Sequence, residues 1–164
     1  MCYNTYYVRV PSTLQQELRQ QKPFASLEHE ASLSVDRTAA VLRHEVAEAL
    51  RPFDLTATQY NVLRILRGAG EAGLCRYEIS DRLVAQVPDV TRLLDRLEEA
   101  GLVTRGRSAE DRRLVATRIT AAGLALLERI EPAVAALHAR QLGHLTRAQL
   151  RTLVDLLALA RERA

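Results

Sequence analysis

The chain contains no tryptophan and only two phenylalanines, and aromatic residues make up 4% of its 164 positions. A core drawn from this composition has to be aliphatic, chiefly Leu, Val and Ala. Leu and Ala are strong helix formers, so a mainly helical fold is the default expectation. Lysine is almost missing: Lys22 is the sole one, and the other basic residues are arginine. Cysteine is scarce too. Cys2 and Cys75 are far apart, form no metal-type pair and give a chain of this size no disulfide framework, which points to a reducing compartment. No apolar run approaches the roughly 18 residues of a transmembrane helix. The opening MCYNTYYVRV lacks the charged segment and apolar stretch of a signal peptide. The expectation is a cytoplasmic protein with no membrane partner.

Catalytic sets are also lacking. There is no Gly-rich phosphate loop, no Ser/Cys–His–Asp set in a workable order, and no carboxylate pair on a cleft, since Glu98 and Glu99 are adjacent and face apart. His29, His44, His138 and His144 do not show metal-ligand spacing. The reading is no enzyme, no metal and no cofactor.

What is present is enough apolar sequence, 48%, to bury a sizeable core in one domain with an appended helical arm. The pI of about 9.2 rests on arginine, whose planar fork suits phosphates and guanine edges. Codon bias explains arginine equally well on composition alone, so the placement of the arginines has to decide.

Residues 1–25 read as an N-terminal arm carrying Tyr3, Tyr6 and Tyr7. Ser12 and Gln15 resemble a capping box for a short helix through about Gln21, ended by Lys22–Pro23. From Ser26 a helical stripe runs through Leu27, Ala31, Val35, Ala39, Leu42, Val46 and Leu50, and Pro52 stops it. Residues 26–54 are longer than a small core requires, so part of this stripe is expected to face a partner chain. Thr56 with Gln59 caps the next helix, which Gly68, Gly70 and Gly73 end. Two short amphipathic stretches follow, Arg76–Val84 and Pro88–Ala100, with Gly101 as C-terminal cap. Pro88 suits a helix start, where its missing N–H costs nothing.

After Gly101 two β-rich runs, Leu102–Thr104 and Leu114–Ile119, flank a polar loop and read as a hairpin. Thr120 caps a helix to about Gly143, with Pro132 implying a kink or a break. Thr146 with Gln149 caps the last helix, striped by Leu150, Leu153, Val154, Leu157 and Ala160.

Helix, short helix, longer helix and hairpin across residues 55–120 is the layout of a winged helix-turn-helix. On the longer helix, Leu93, Leu94 and Leu97 must face the core, turning Thr91, Arg92, Asp95 and Arg96 outward. An ordinary solvated helix with an Asp95–Arg96 pair is the bland alternative. The positive charge gathers in the hairpin: residues 101–118 hold five Arg against two acids, whereas 74–100 hold four Arg against six.

The segments "LTATQYNVLRIL" (55–66), "ISDRLVAQVPDVTRLLDRLEEAGLVTR" (79–105), "EDRRLVATRITAAGLALL" (110–127) and "LTRAQLRTLVDLLALA" (145–160) together resemble the MarR family of regulators. The resemblance implies an α+β, mainly α fold: a winged helix-turn-helix with a dimerisation region formed by the N-terminal helix and the C-terminal helices, residues 121–164. It implies a homodimer on a pseudo-palindromic double-stranded operator, with half-sites roughly 34 Å apart. The reading helix, about 88–100, would enter the major groove, and the wing, about 104–114, the minor groove. The implied DNA-binding residues are Gln86, Pro88, Asp89, Thr91, Arg92, Arg96, Arg105, Arg107, Asp111, Arg112 and Arg113. The resemblance implies that Arg113 enters a narrow minor groove while Asp111 orients it; Arg112 could share or take that role. Asp89 departs from the pattern: it suits the helix dipole and a cytosine amino group, but it is an acid where phosphate would approach.

A repressor relieved by a phenolic or anionic effector is the implied function. Arg43, His44, Phe53, Tyr60 and Arg64 are the pocket candidates, though His44 and Tyr60 equally suit plain structural roles. Two alternatives stay open: an architectural DNA-binding protein without an effector, and a thiol-responsive regulator through Cys75 or Cys2. Arg76 beside Cys75 is the kind of neighbour that activates a thiol.

Overall fold

The computed structural model describes residues 13–107 and 115–162. Asp111, Arg112, Arg113, Cys2 and the Ser12 cap lie outside them. The chain divides into two compact units between Arg43 and His44.

In the first unit, α1 (Thr13–Glu17) precedes the opening of α2 (Leu27–Leu50). α1 is shorter than expected: Arg19 turns into the left-handed region at φ 51 and ends the helical path. The Ser26 hydroxyl accepts the His29 N–H at 3.2 Å, capping α2 where the sequence placed its start. Leu27 and Val35 on the expected stripe are exposed.

The second unit holds the core. α2 ends at Leu50, and Pro52 sits in a single 3₁₀ turn. α3 (Ala57–Ala69) starts at the expected Thr56–Gln59 capping box. It presents Tyr60, Val62, Leu63 and Leu66 to the interior. β1 (Leu74–Cys75) leads into α4 (Arg76–Arg82), and α5 (Val90–Glu99) follows. α5 buries Val90, Leu94 and Leu97, one apolar stripe at helical spacing. Gly101 closes it at φ 70, while the amides of Gly101 and Leu102 bond back to Glu98 and Leu97. This is a Schellman closure that favours glycine.

β2 (Val103–Arg107) and β3 (Val115–Ile119) form the expected hairpin. The sheet nevertheless has three strands, ordered β1-β3-β2 and antiparallel throughout. β1 pairs Leu74 with Thr117 and Cys75 with Ala116. A two-residue strand carries no alternation to read, so the sequence gives no sign of it. α6 (Ala121–Leu142), capped by Thr120, passes through Pro132 without a break. Ile130 and Val134, both buried, flank the proline. Their burial offsets a cost of about 3 kcal/mol for the lost bond and ring clash.

Thr120 also fastens the hairpin root. Its hydroxyl donates to the Gly101 carbonyl at 2.7 Å, and its amide to the Leu102 carbonyl. Gly123 allows this approach, because a Cβ there would lie 2.4 Å from the Leu102 oxygen. α7 (Arg147–Arg161) follows a Thr146–Gln149 capping box and buries no residue. The whole is a winged helix-turn-helix, mainly helical with one small sheet.

Candidate nucleic-acid interface

The surface of interest is built from α4, the turn after it, α5 and the hairpin. The turn is held from below: the Asn61 side-chain carbonyl accepts the Val84 N–H at 3.0 Å. Asn61 sits on α3, and its role escaped sequence reasoning because a brace across 23 residues leaves no local signal. Beyond the turn, Gln86, Pro88 and Asp89 are all exposed.

Pro88 does not open α5. The helix begins at Val90, with Asp89 as N-cap, whose carboxylate accepts the Arg92 amide at 2.9 Å. A carboxylate cap satisfies an orphan donor and suits the helix dipole, so it fixes the start two residues after the proline. This gives the unexpected acid a structural task.

With Val90, Leu94 and Leu97 inward, the helical period turns Arg92, Arg96 and Glu99 to the opposite side. All three are exposed, as is Thr91. Asp95 and Glu98 lie on the flank beside β2. In place of the Asp95–Arg96 pair of the bland alternative, Asp95 pairs at longer range, meeting Arg105 Nη2 at 2.7 Å. Glu98 grips the same residue from two sides. One carboxylate oxygen accepts the Arg105 backbone N–H at 3.0 Å, and the other accepts Nε at 2.7 Å and Nη2 at 2.5 Å. These bonds hold the Glu98 carboxyl below the usual carboxylate range, and they raise the Arg105 guanidinium above its ordinary value.

Arg107 is exposed at the outer end of β2. At the strand's inner end, Val103 is in the core. Arg118 on β3 is spoken for, its Nε donating to the Glu71 carbonyl at 2.7 Å.

Of the effector candidates, the structure brings Tyr60 and Arg64 together, the guanidinium 5.9 Å from the ring centroid. Tyr60 is a core residue and Phe53 packs against the same core. Arg43 and His44 are exposed on α2, and the Arg43 Nε is bonded to the Ala39 carbonyl.

Cys75 is buried. Its amide and thiol both donate to one oxygen of Glu78 at 2.8 Å, and this pair of bonds keeps the Glu78 carboxyl low. Cys75 thus stands at the head of α4 where Ser or Thr is usual, and C-x-x-E is a variant of the capping box signal. Among the described residues no group of three or more metal-ligating side chains gathers. No helix among them is long and apolar enough to cross a membrane.

A family model described as the MarR family matches residues 55–115, the stretch from α3 to the start of β3. Over 115 residues the chain is 37% identical to an HTH-type transcriptional repressor of Mycobacterium tuberculosis, spanning 70% of this chain and 81% of that one. Among solved structures it is similar to a MarR transcription factor from Planctomyces limnophilus, at 44% identity and TM-score 0.64, over 84% of this chain and 99% of the other. It is also similar to a mutant MarR from E. coli complexed with operator DNA. That likeness is 29% identity and TM-score 0.74, over 84% and 100%.

Proposed function

The chain belongs to the MarR family of DNA-binding transcriptional regulators, which are not enzymes, and from that membership we propose that it is a homodimeric, sequence-specific repressor of transcription. The observation that carries this reading is the outward face of α5. Thr91, Arg92 and Arg96 stand exposed on a helix whose apolar residues are spent on the core. A helix so anchored presents those side chains as a rigid set, and a major groove about 12 Å wide admits it. Gln86 extends the set from the turn, and Asp89 serves as its cap.

The wing supplies the second contact, to the minor groove, through exposed Arg107 together with Asp111, Arg112 and Arg113. A narrow minor groove concentrates negative potential that arginine answers. Two copies join through the apolar residues that a single copy leaves exposed on α2 and α7. The two reading helices then fall about one helical turn of DNA apart.

Relief by a small phenolic or anionic effector is part of the proposal. Its support is the Arg64 cation set over the Tyr60 ring, chemistry that attracts both features of such a ligand. Release requires the effector to prefer a dimer geometry that DNA does not.

Selection of duplexes from a random-sequence library by the purified protein tests the reading. Enrichment of a pseudo-palindrome with half-sites one helical turn apart is the expected result. Uniform, steeply salt-dependent binding to every duplex would replace it with the architectural reading.

A further inference from the structure

We infer that Arg105 is a positioning residue, a clamp that locks the wing to the reading helix, and not one of the DNA contacts. This rests on the DNA-reading role proposed for α5 and the wing.

Four observations carry it. The Arg105 side chain is only 28% exposed, against 43% and 36% for Asp95 and Glu98, so the guanidinium is the inner member of the trio. Its Nε and Nη2 are committed to Glu98, and Nη2 also to Asp95. Glu98 binds the Arg105 main chain as well, so one carboxylate fixes both the strand and the side chain. Finally, the trio sets one positive charge against two negative ones. It therefore offers no net attraction to a phosphate, which would meet two carboxylates beside Arg105.

Geometry makes this position consequential. Glu98 and Asp95 lie on the flank of the helix whose outward face holds Arg92 and Arg96. Arg105 lies on β2 two residues before exposed Arg107. The next fixed points are the closures at Gly101 and Thr120, at the hairpin's root. Beyond that root, the bonds from Arg105 to Asp95 and Glu98 set the angle at which the strand leaves the helix. Two guanidinium nitrogens on one Glu98 oxygen, with the other oxygen on the Arg105 amide, resist rotation where a single bond does not. The reading helix and the wing then dock on DNA as one body, with the ordering cost met before binding.

A double-mutant cycle in DNA affinity separates the clamp from a direct contact. The probes are the duplex that the wild-type protein selects from a random library and an unselected duplex of equal length. A clamp makes Arg105→Met and Glu98→Gln weaken binding to the selected duplex alike, by about tenfold, as expected for neighbouring coupled residues. The charge-balanced double variant is then no weaker than either single one. Binding to the unselected duplex keeps its wild-type salt dependence in Glu98→Gln, a readout that mere loss of folded protein does not reproduce. Glu98→Gln is isosteric and keeps an oxygen that can accept the Arg105 amide, so it serves where Arg105→Met fails to fold.

Wild-type affinity in Glu98→Gln, or tighter binding as Arg105 is freed for phosphate, overturns the clamp. A loss in Arg105→Met that adds to that of Glu98→Gln in the double variant overturns it too. A wild-type protein that selects no duplex is a different failure: it removes the regulator reading itself.

Discussion

α5 and α7 are both amphipathic helices of the same unit, and a single protomer treats them in opposite ways. α5 buries Val90, Leu94 and Leu97 and shows solvent its polar side. α7 buries nothing, and Val154, Leu156 and Leu159 stand about 60% exposed. The first helix has its apolar face satisfied at home, so its polar residues are held rigidly for something outside. The second has an apolar face with no home among the described residues, and water is a poor partner for it. On the proposed function, reading falls to α5 and assembly to α7, two helices that look alike as patterns. What separates them is where their leucines go.

The largest expected effect breaks the first half of this contrast. Leu97 is fully buried, and Leu97→Ala should cost about 2–5 kcal/mol, read as a lower midpoint in chemical denaturation. The same kind of truncation at Leu156, on α7, should leave a dilute, monomeric sample almost unmoved. Next comes the second half. Val154→Asp should leave the protomer folded and weaken self-association by about 2 kcal/mol or more, because it carries a charge into an apolar contact. Sedimentation across a concentration series reads this, and an unchanged dimer would remove α7 from the interface.

A smaller effect sharpens the division of labour. Arg92→Ala should lose about 1–3 kcal/mol of specific DNA affinity with no change in the denaturation midpoint, since its side chain faces solvent. Asp89→Ala takes away the α5 cap and should cost roughly 1 kcal/mol of stability.

The smallest effect is a pH dependence. Glu98 has its carboxyl held low by Arg105. Its contribution is therefore complete above the ordinary glutamate value of 4.5 and disappears as the pH falls through the depressed one. Glu98→Gln should flatten that acid limb of the stability curve, and an identical limb in the variant would contradict the assignment.

Local chemistry was the legible part. Thr56–Gln59, Thr120 and Thr146–Gln149 announce helix starts, and Gly101 a helix end, because a cap is made by residues three or four apart. The order of elements and the outward set on α5 followed from the same short-range patterns. What stayed hidden depends on contacts across the chain. β1 exists only because β3 pairs with it. Asn61 matters only because Val84 folds back onto it. Arg105 read as a DNA contact because it is an arginine in a basic hairpin, and only the structure sets it against Asp95 and Glu98. Asp89 read as an acid that suits the helix dipole but repels phosphate, and only its bond to the Arg92 amide shows it to be the cap.

The most direct test of the account is DNA binding by a protein lacking both outward arginines. Wild type and the Arg92→Ala/Arg96→Ala double variant are titrated against the selected duplex and an unselected one, with melting followed alongside. The account predicts that the variant melts like wild type and loses its preference for the selected duplex. A variant that keeps the full preference would show that sequence is read somewhere other than the exposed face of α5.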